Sequence, residues 1–219
     1  MEFSSKYHED AFPERYADKH GETALRRLND RREQALLARC LRLCNPTDTL
    51  ADIGCGPGRF WPTLSTTGAS DLFALDVSHA MLRYARQRHG PLGDRFGVAA
   101  GSVLTLPFVD GAFDTTVCLR LLHHFGDPAQ RRAALAELAR VSRRHVVVSL
   151  WTDGNYKAWR RSRLERRRGR RAYENRHVVP RRTLEADFGA AGLTVVRHFD
   201  LVPAYSQWRY YVLRKAEAR

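Results

Sequence analysis

The sequence predicts an α/β fold, a mostly parallel sheet with helices on both faces. Three observations carry that reading. Short apolar runs alternate with helical patterns between residues 49 and 150. One run, Thr49-Leu50-Ala51-Asp52-Ile53, leads straight into Gly54, Gly56 and Gly58. A second run, Leu72-Phe73-Ala74-Leu75, ends in Asp76, 22 residues after Gly54.

Each element has a local reason. The first helix is expected from about Glu22 to Cys44, with Leu25, Leu28, Leu36, Leu37, Cys40, Leu41 and Cys44 as its apolar positions. Asn45-Pro46 stops it. The strand over 49–53 passes through the glycine turn into a helix over 58–66. A strand over 72–76 follows, and Ser78 caps a helix over 78–88. The alternation continues with strands over 96–100 and 114–119, a helix over 128–141 and a strand over 144–150. Leu193 to Phe199 and Trp208 to Leu213 read as two further strands, joined by Asp200 to Gln207. No internal repeat is visible.

At 219 residues the chain is expected to be one domain, and a hydrophobic fraction of 43% is ample for its core. No apolar stretch approaches the roughly 18 residues that a membrane span needs. The opening residues Met1 to Lys6 lack the apolar segment of a signal peptide, so a cytoplasmic location is expected. Four cysteines fit a reducing compartment. Cys40 and Cys44 share one helix face, but a metal site needs a second ligand pair and none is evident. They read as buried thiols, as do Cys55 and Cys118.

Charge is concentrated. The chain carries a net +13, and Trp151 to Arg182 holds 12 Lys or Arg against Asp153, Glu165 and Glu174. This stretch follows the fifth strand, where loops of an open α/β sheet form the binding crevice. Tyr156, Trp159 and Leu164 make only a thin apolar stripe, so the stretch is not a core helix. It reads either as a solvated basic arm or as a lid that attracts phosphate, carboxylate, RNA or an anionic membrane surface.

The glycine turn carries the chemistry. Residues without side chains let a ligand lie against the backbone, and amides at the next helix start can donate to it. An acid ending the following strand, here Asp76, grips ribose hydroxyls in nucleoside-binding units. A nicotinamide fingerprint needs its third glycine one residue later, where Arg59 stands. His123 and His124 are the paired histidines, and either can take a proton near neutrality or simply pack. Arg120 ends the fourth strand and can hold an acidic group bidentately.

The spelling Asp52-x-Gly54-x-Gly56-x-Gly58 resembles the class I S-adenosylmethionine-dependent methyltransferases. Gly111 to Cys118 is similar to that family's fourth-strand motif, and Leu121-Leu122-His123-His124-Phe125 to its leucine-histidine-histidine segment. Glu137 to Val141 followed by Val146 to Val148 resembles its fourth helix and fifth strand. The resemblance covers roughly Asp48 to Trp151, with a plausible closing unit from Leu184 to Leu213. It implies a Rossmann-like doubly wound seven-stranded sheet with an antiparallel C-terminal strand. It divides the single domain into an N-terminal helical segment (1–47), a cofactor-binding core (48–151), a basic lid (152–182) and a closing helix and strands (183–219).

The resemblance also implies S-adenosylmethionine as cofactor and a set of binding residues. Gly54, Cys55, Gly56 and Gly58 would hold its amino acid end, with Asp52 near the amine and Asp76 on the ribose. Val77 and Val103 would sandwich the adenine, with Met81 and Leu119 beside them. Many relatives carry an acid after the third strand's glycine, whereas this chain has Gly101-Ser102. Ser102 can accept from the adenine amine, but without charge. Amino-terminal segments of relatives fold over the cofactor, which brings in Tyr16 and one of Arg26, Arg27 or Arg31. His123, His124 and Arg120 are the catalytic candidates.

The expected activity is methyl transfer to a small or lipid-linked anionic acceptor. A tRNA methyltransferase is the alternative, because Leu106 to Trp151 also resembles the wobble-uridine enzymes and Tyr156, Trp159 and Tyr173 can stack on bases. A non-catalytic protein that binds S-adenosylmethionine is a third reading.

Overall fold

The computed structural model describes residues 23–46, 48–169 and 175–216. Helix α1 spans Ala24–Cys44, capped by the Thr23 hydroxyl and closed by Asn45 in a left-handed conformation. Strand β1 (Thr49–Ile53) leads through the glycines to a single turn, α2 (Trp61–Leu64). Then come β2 (Asp71–Asp76), α3 (His79–His89), the short α4 (Pro91–Asp94) and β3 (Phe96–Ala100). Strand β4 (Phe113–Leu119) runs into a 3₁₀ turn at Leu122–His124, then α5 (Pro128–Val141) and β5 (Ser142–Trp151). The basic helix α6 (Tyr156–Arg168), α7 (Arg181–Ala190), β6 (Leu193–Asp200) and β7 (Trp208–Lys215) complete the chain.

The seven strands form one sheet in the order β3-β2-β1-β4-β5-β7-β6. Pairings from β3 to β5 are parallel, and β7 is antiparallel to both neighbours. The strand order reverses between β1 and β4, which opens a crevice above their carboxyl ends. Two apolar layers sandwich the sheet. One holds Leu135, Leu138, Leu184 and Phe188 from α5 and α7. The other holds Leu37, Cys40 and Leu41 from α1 with Trp61, Leu64 and Leu82. Trp61 stacks on Phe96 with ring centroids 4.3 Å apart and fills the space below Gly58.

Two expectations need correction. The helix over 58–66 shrinks to one turn, because the hydroxyls of Ser65, Thr66 and Thr67 donate to the carbonyls of Pro62, Thr63 and Leu64. Leu25 and Leu28, expected in the core, are 66% and 45% exposed at the start of α1. The basic stretch is no core helix, as expected: it forms α6, in which Ala158 is the one buried residue. Its cap, Asn155 accepting from the Ala158 amide, explains why it forms without a core face.

Candidate active site

The crevice is built from the glycine turn after β1, the acid ending β2 and the turn after β4. Gly54, Gly56 and Gly58 all have positive φ, at 75°, 53° and 69°. They do different work. A Cβ on Gly54 would lie 2.7 Å from Leu121 Cδ2, and one on Gly58 would lie 2.9 Å from the Trp61 ring. Gly56 has nothing within 4 Å, so it faces the open side of the turn. Gly54 and Cys55 anchor the loop by donating to the Leu75 carbonyl.

Asp76 ties this turn to the next helix. Its Oδ2 accepts from the Gly56 amide at 2.8 Å and its Oδ1 from the Ser78 amide at 2.9 Å. A carboxylate has about four lone-pair sites, so acceptor capacity is left for a hydroxyl. Burial raises the Asp76 pKa, and the amides of Ser78, Gly56 and Val77 oppose that rise.

Asp52 is 2% exposed on β1, and its Oδ2 has no hydrogen-bond partner. Burial first, and the Asp76 charge second, raise its pKa to about 7. The nearby Trp61 indole lowers it, although neither Trp61 Nε1 nor Asp52 Oδ2 completes a bond. A buried carboxylate left unsatisfied beside an open glycine suits a cationic ligand group.

Other expected cofactor residues divide into contact and support. Val77 is 40% exposed at the crevice, whereas Val103 (6%), Met81 (1%), Leu119 (5%) and Cys55 (6%) are buried. Val103 packs into the core layer with Leu75 and so is not open to the crevice as an adenine contact was expected to be. Burial pushes the Cys55 and Cys118 thiols well above their usual range, which makes them inert filler. Ser102 Oγ accepts from the Leu104 amide at 3.2 Å, so part of its hydrogen-bonding capacity shapes the turn. Tyr16 lies outside the described residues, as does Tyr173. Arg26, Arg27 and Arg31 are exposed on α1.

Arg120 has a different setting from the one expected. Its φ is 59°, its amide donates to Ser149 Oγ, and its guanidinium lies 4.7 Å above the Trp208 ring. Nη1 contacts both Glu33 oxygens, at 2.9 and 3.0 Å. Glu33 also accepts from Arg59 Nη1 at 2.9 Å and from the Tyr210 hydroxyl at 3.2 Å. Arg59 reaches back to Asp30 at 2.6 Å. The cluster joins α1 to the glycine turn and to the turn after β4. Glu33 was not legible in the sequence, because its partners are remote and it falls in the charged and polar run Asp30 to Gln34, which reads as a solvated face.

The two histidines sit side by side, with ring centroids 4.0 Å apart. His123 is 3% exposed, lies against Trp151 and Trp208, and leaves Nδ1 without a hydrogen bond. Burial, then the charges of His124, Arg120, Arg176 and His177, hold its pKa far below the usual value. His124 Nδ1 lies 2.7 Å from the Asn175 carbonyl, and burial lowers its pKa to about 4. Next to them opens a cleft of about 810 Å³ between α6 and residues 176–178. Among the described residues no group of three or more His, Cys, Asp or Glu is placed to hold a metal ion. No described helix is long and apolar enough to cross a membrane.

Residues 50–145 match the family model described as "Methyltransferase domain". A demethylmenaquinone methyltransferase of Corynebacterium kroppenstedtii is 38% identical over 44% of this chain and 38% of its own length. A tRNA (carboxymethyluridine(34)-5-O)-methyltransferase of Xenopus tropicalis is 32% identical over 47% of this chain and 15% of its own length. The chain thus matches less than half the length of these curated relatives. The magnesium protoporphyrin IX methyltransferase of Synechocystis, solved with S-adenosylhomocysteine, superposes with a TM-score of 0.70 at 18% identity, covering 89% of this chain and 88% of that one. An S-adenosylmethionine-dependent methyltransferase of Clostridium acetobutylicum gives 0.72 at 12% identity, covering 93% and 98%. At such identities the likeness establishes the fold. The fold is that of solved class I S-adenosylmethionine-dependent methyltransferases, and within it residues 50–145 match a methyltransferase domain.

Proposed function

We propose that the protein transfers a methyl group from S-adenosylmethionine to a small or lipid-linked anionic acceptor. The observation that carries the transfer is Asp76, pinned between the Gly56 and Ser78 amides at the mouth of an open glycine turn. The cofactor, when bound, supplies an electrophilic methyl group on a sulfonium. The protein's own residues bind, orient and exclude water. Gly56 lets the amino acid end lie on the backbone, Asp52 faces the amine, and Asp76 accepts from the ribose hydroxyls. Most of the rate then comes from holding the acceptor in line with the methyl carbon. His124 can take the proton of an acceptor hydroxyl, and the cations of α6 draw in its negative charge.

Four cysteines, all buried and unpaired, fit the proposed cytoplasmic setting. A second reading, methylation of RNA, draws on the exposed Tyr156 and Trp159 among the cations of α6 and on the tRNA-modifying relative.

The test is calorimetric titration with S-adenosylmethionine and S-adenosylhomocysteine, for the natural protein and Asp76→Ala. Binding by the first and its loss in a folded variant supports the cofactor site. A radiolabelled-methyl screen of anionic metabolites, lipids and tRNA follows, with neutral analogues beside them. Transfer to neutral acceptors alone removes the anionic part. Transfer to tRNA, with steeply salt-dependent binding, moves the assignment to RNA.

A further inference from the structure

We infer that the cleft beside α6 binds a planar aromatic anion, and that this is the chemical class of the methyl acceptor. The inference rests on the methyl-transfer reading for the acceptor role only. The occupant's chemistry follows from the cleft itself.

The first observation is size. At about 810 Å³ the cleft lies in the range of roughly 300–1,000 Å³ typical of small-molecule sites.

The second is the aromatic surface. Tyr156 is 48% and Trp159 is 53% exposed, and both line the cleft with ring centroids 5.9 Å apart. Tyr205 stacks behind Tyr156 with an interplanar angle of 10°. Large rings left open in a concavity favour a flat apolar partner.

The third is the charge balance. Both carboxylates of the cleft are already held by arginines, Asp153 by Arg181 and Glu165 by Arg161. Arg166 on α6 and Arg176 on the facing wall add positive charge. A ligand carboxylate or phosphate fits this excess, and a guanidinium can meet either one bidentately.

The fourth is position. The guanidinium carbons of Arg161 and Arg176 lie 5.1 and 5.7 Å from the centre of the Trp151 ring. The same ring lies 5.2 Å from His123. The His177 amide donates to the His123 carbonyl at 2.8 Å. The inner wall of the cleft is therefore continuous with the histidine turn that closes the crevice.

The test uses the full chain with saturating S-adenosylhomocysteine. Calorimetry compares 2-naphthoate with neutral 2-naphthamide, with saturated cyclohexanecarboxylate and with oligouridylate. Naphthoate should bind about tenfold or more tighter than either small control. Trp159→Ala should abolish the preference for the aromatic ring, and Arg166→Gln the preference for the anion. Both side chains are exposed, so unchanged melting curves will show that the fold is intact. Equal affinity for the three small probes, or preferences that survive both substitutions, overturns the inference. Oligouridylate binding without naphthoate binding also overturns it and gives the cleft to RNA. Naphthoate binding in a protein that ignores S-adenosylhomocysteine keeps the cleft assignment and removes the methyl-transfer reading.

Discussion

Glu33 and Arg120, 87 residues apart in the chain, form an ion pair behind the crevice in which Arg120 Nη1 meets both carboxylate oxygens, with Glu33 only 4% exposed. The same carboxylate holds Arg59, the residue after the last glycine of the turn. One side chain of α1 therefore holds both the glycine turn and the turn after β4.

Glu33→Gln should destabilise the protein strongly. It leaves two arginines without their shared counter-charge, and losing one partner of a buried pair costs about 3 kcal/mol or more. Arg120 also holds a left-handed backbone that costs a non-glycine residue about 1 kcal/mol or more. The double variant Glu33→Gln/Arg120→Met should recover part of the loss, since one uncompensated cation is gone. Chemical denaturation measures both, and strictly additive losses would contradict the coupling.

The glycines of the turn should separate folding from binding. Gly58→Ala places a methyl within 2.9 Å of Trp61 and 3.1 Å of Ala85, so it should lower stability first. Gly56→Ala meets no atom within 4 Å, and its positive φ should cost only about 1 kcal/mol. Its methyl would instead occupy the ligand's side of the turn. Titration with S-adenosylhomocysteine should show the larger affinity loss for Gly56→Ala, and melting curves the larger shift for Gly58→Ala. The reverse ranking would place the ligand elsewhere.

The sequence shows the glycine turn because a ligand-contacting backbone must be spelled in local residues, from Asp52 to Gly58 and on to Asp76. The parallel sheet is legible for a similar reason, since strands buried on both faces carry unbroken apolar runs, such as Val146-Val147-Val148 in β5. Glu33 is not legible, because its partners Arg59, Arg120 and Tyr210 arrive from three other elements and leave no periodic trace. Helix α6 escapes for the opposite reason. Periodicity reports burial, and α6 buries only Ala158.

Asp52 should couple cofactor binding to pH. Its pKa is raised from 3.8 to about 7, so the folded protein holds this proton more tightly than the unfolded chain does. Its contribution to stability is therefore fully present below the unfolded value and is lost as pH rises through about 7. A cationic amine bound beside it favours the charged carboxylate and draws the pKa down. Binding of S-adenosylhomocysteine near pH 6 should then release a proton, and binding near pH 8.5 should release almost none. Calorimetry in buffers of different ionisation enthalpy reads this directly. Asp52→Asn should remove the difference, and identical release at both pH values would place the amine away from Asp52.

The histidine turn gives a sharper test of the chemistry. A carbonyl only accepts, so His124 Nδ1, 2.7 Å from the Asn175 oxygen, carries the proton and the ring's lone pair is on Nε2. Burial is the main cause that lowers its pKa to about 4, the Asn175 bond opposes it, and Arg176, Arg120 and His177 reinforce it. The neutral ring, which a base requires, then prevails throughout the physiological range. The rate should show no limb from histidine between about pH 5 and 8, and should fall only as pH approaches the His124 value. His124→Gln should lower kcat by about a hundredfold or more with little change in the KM for the cofactor. A rate limb centred on an ordinary imidazole value would instead mean that the titrating group is solvated, and the base would have to be sought outside this turn.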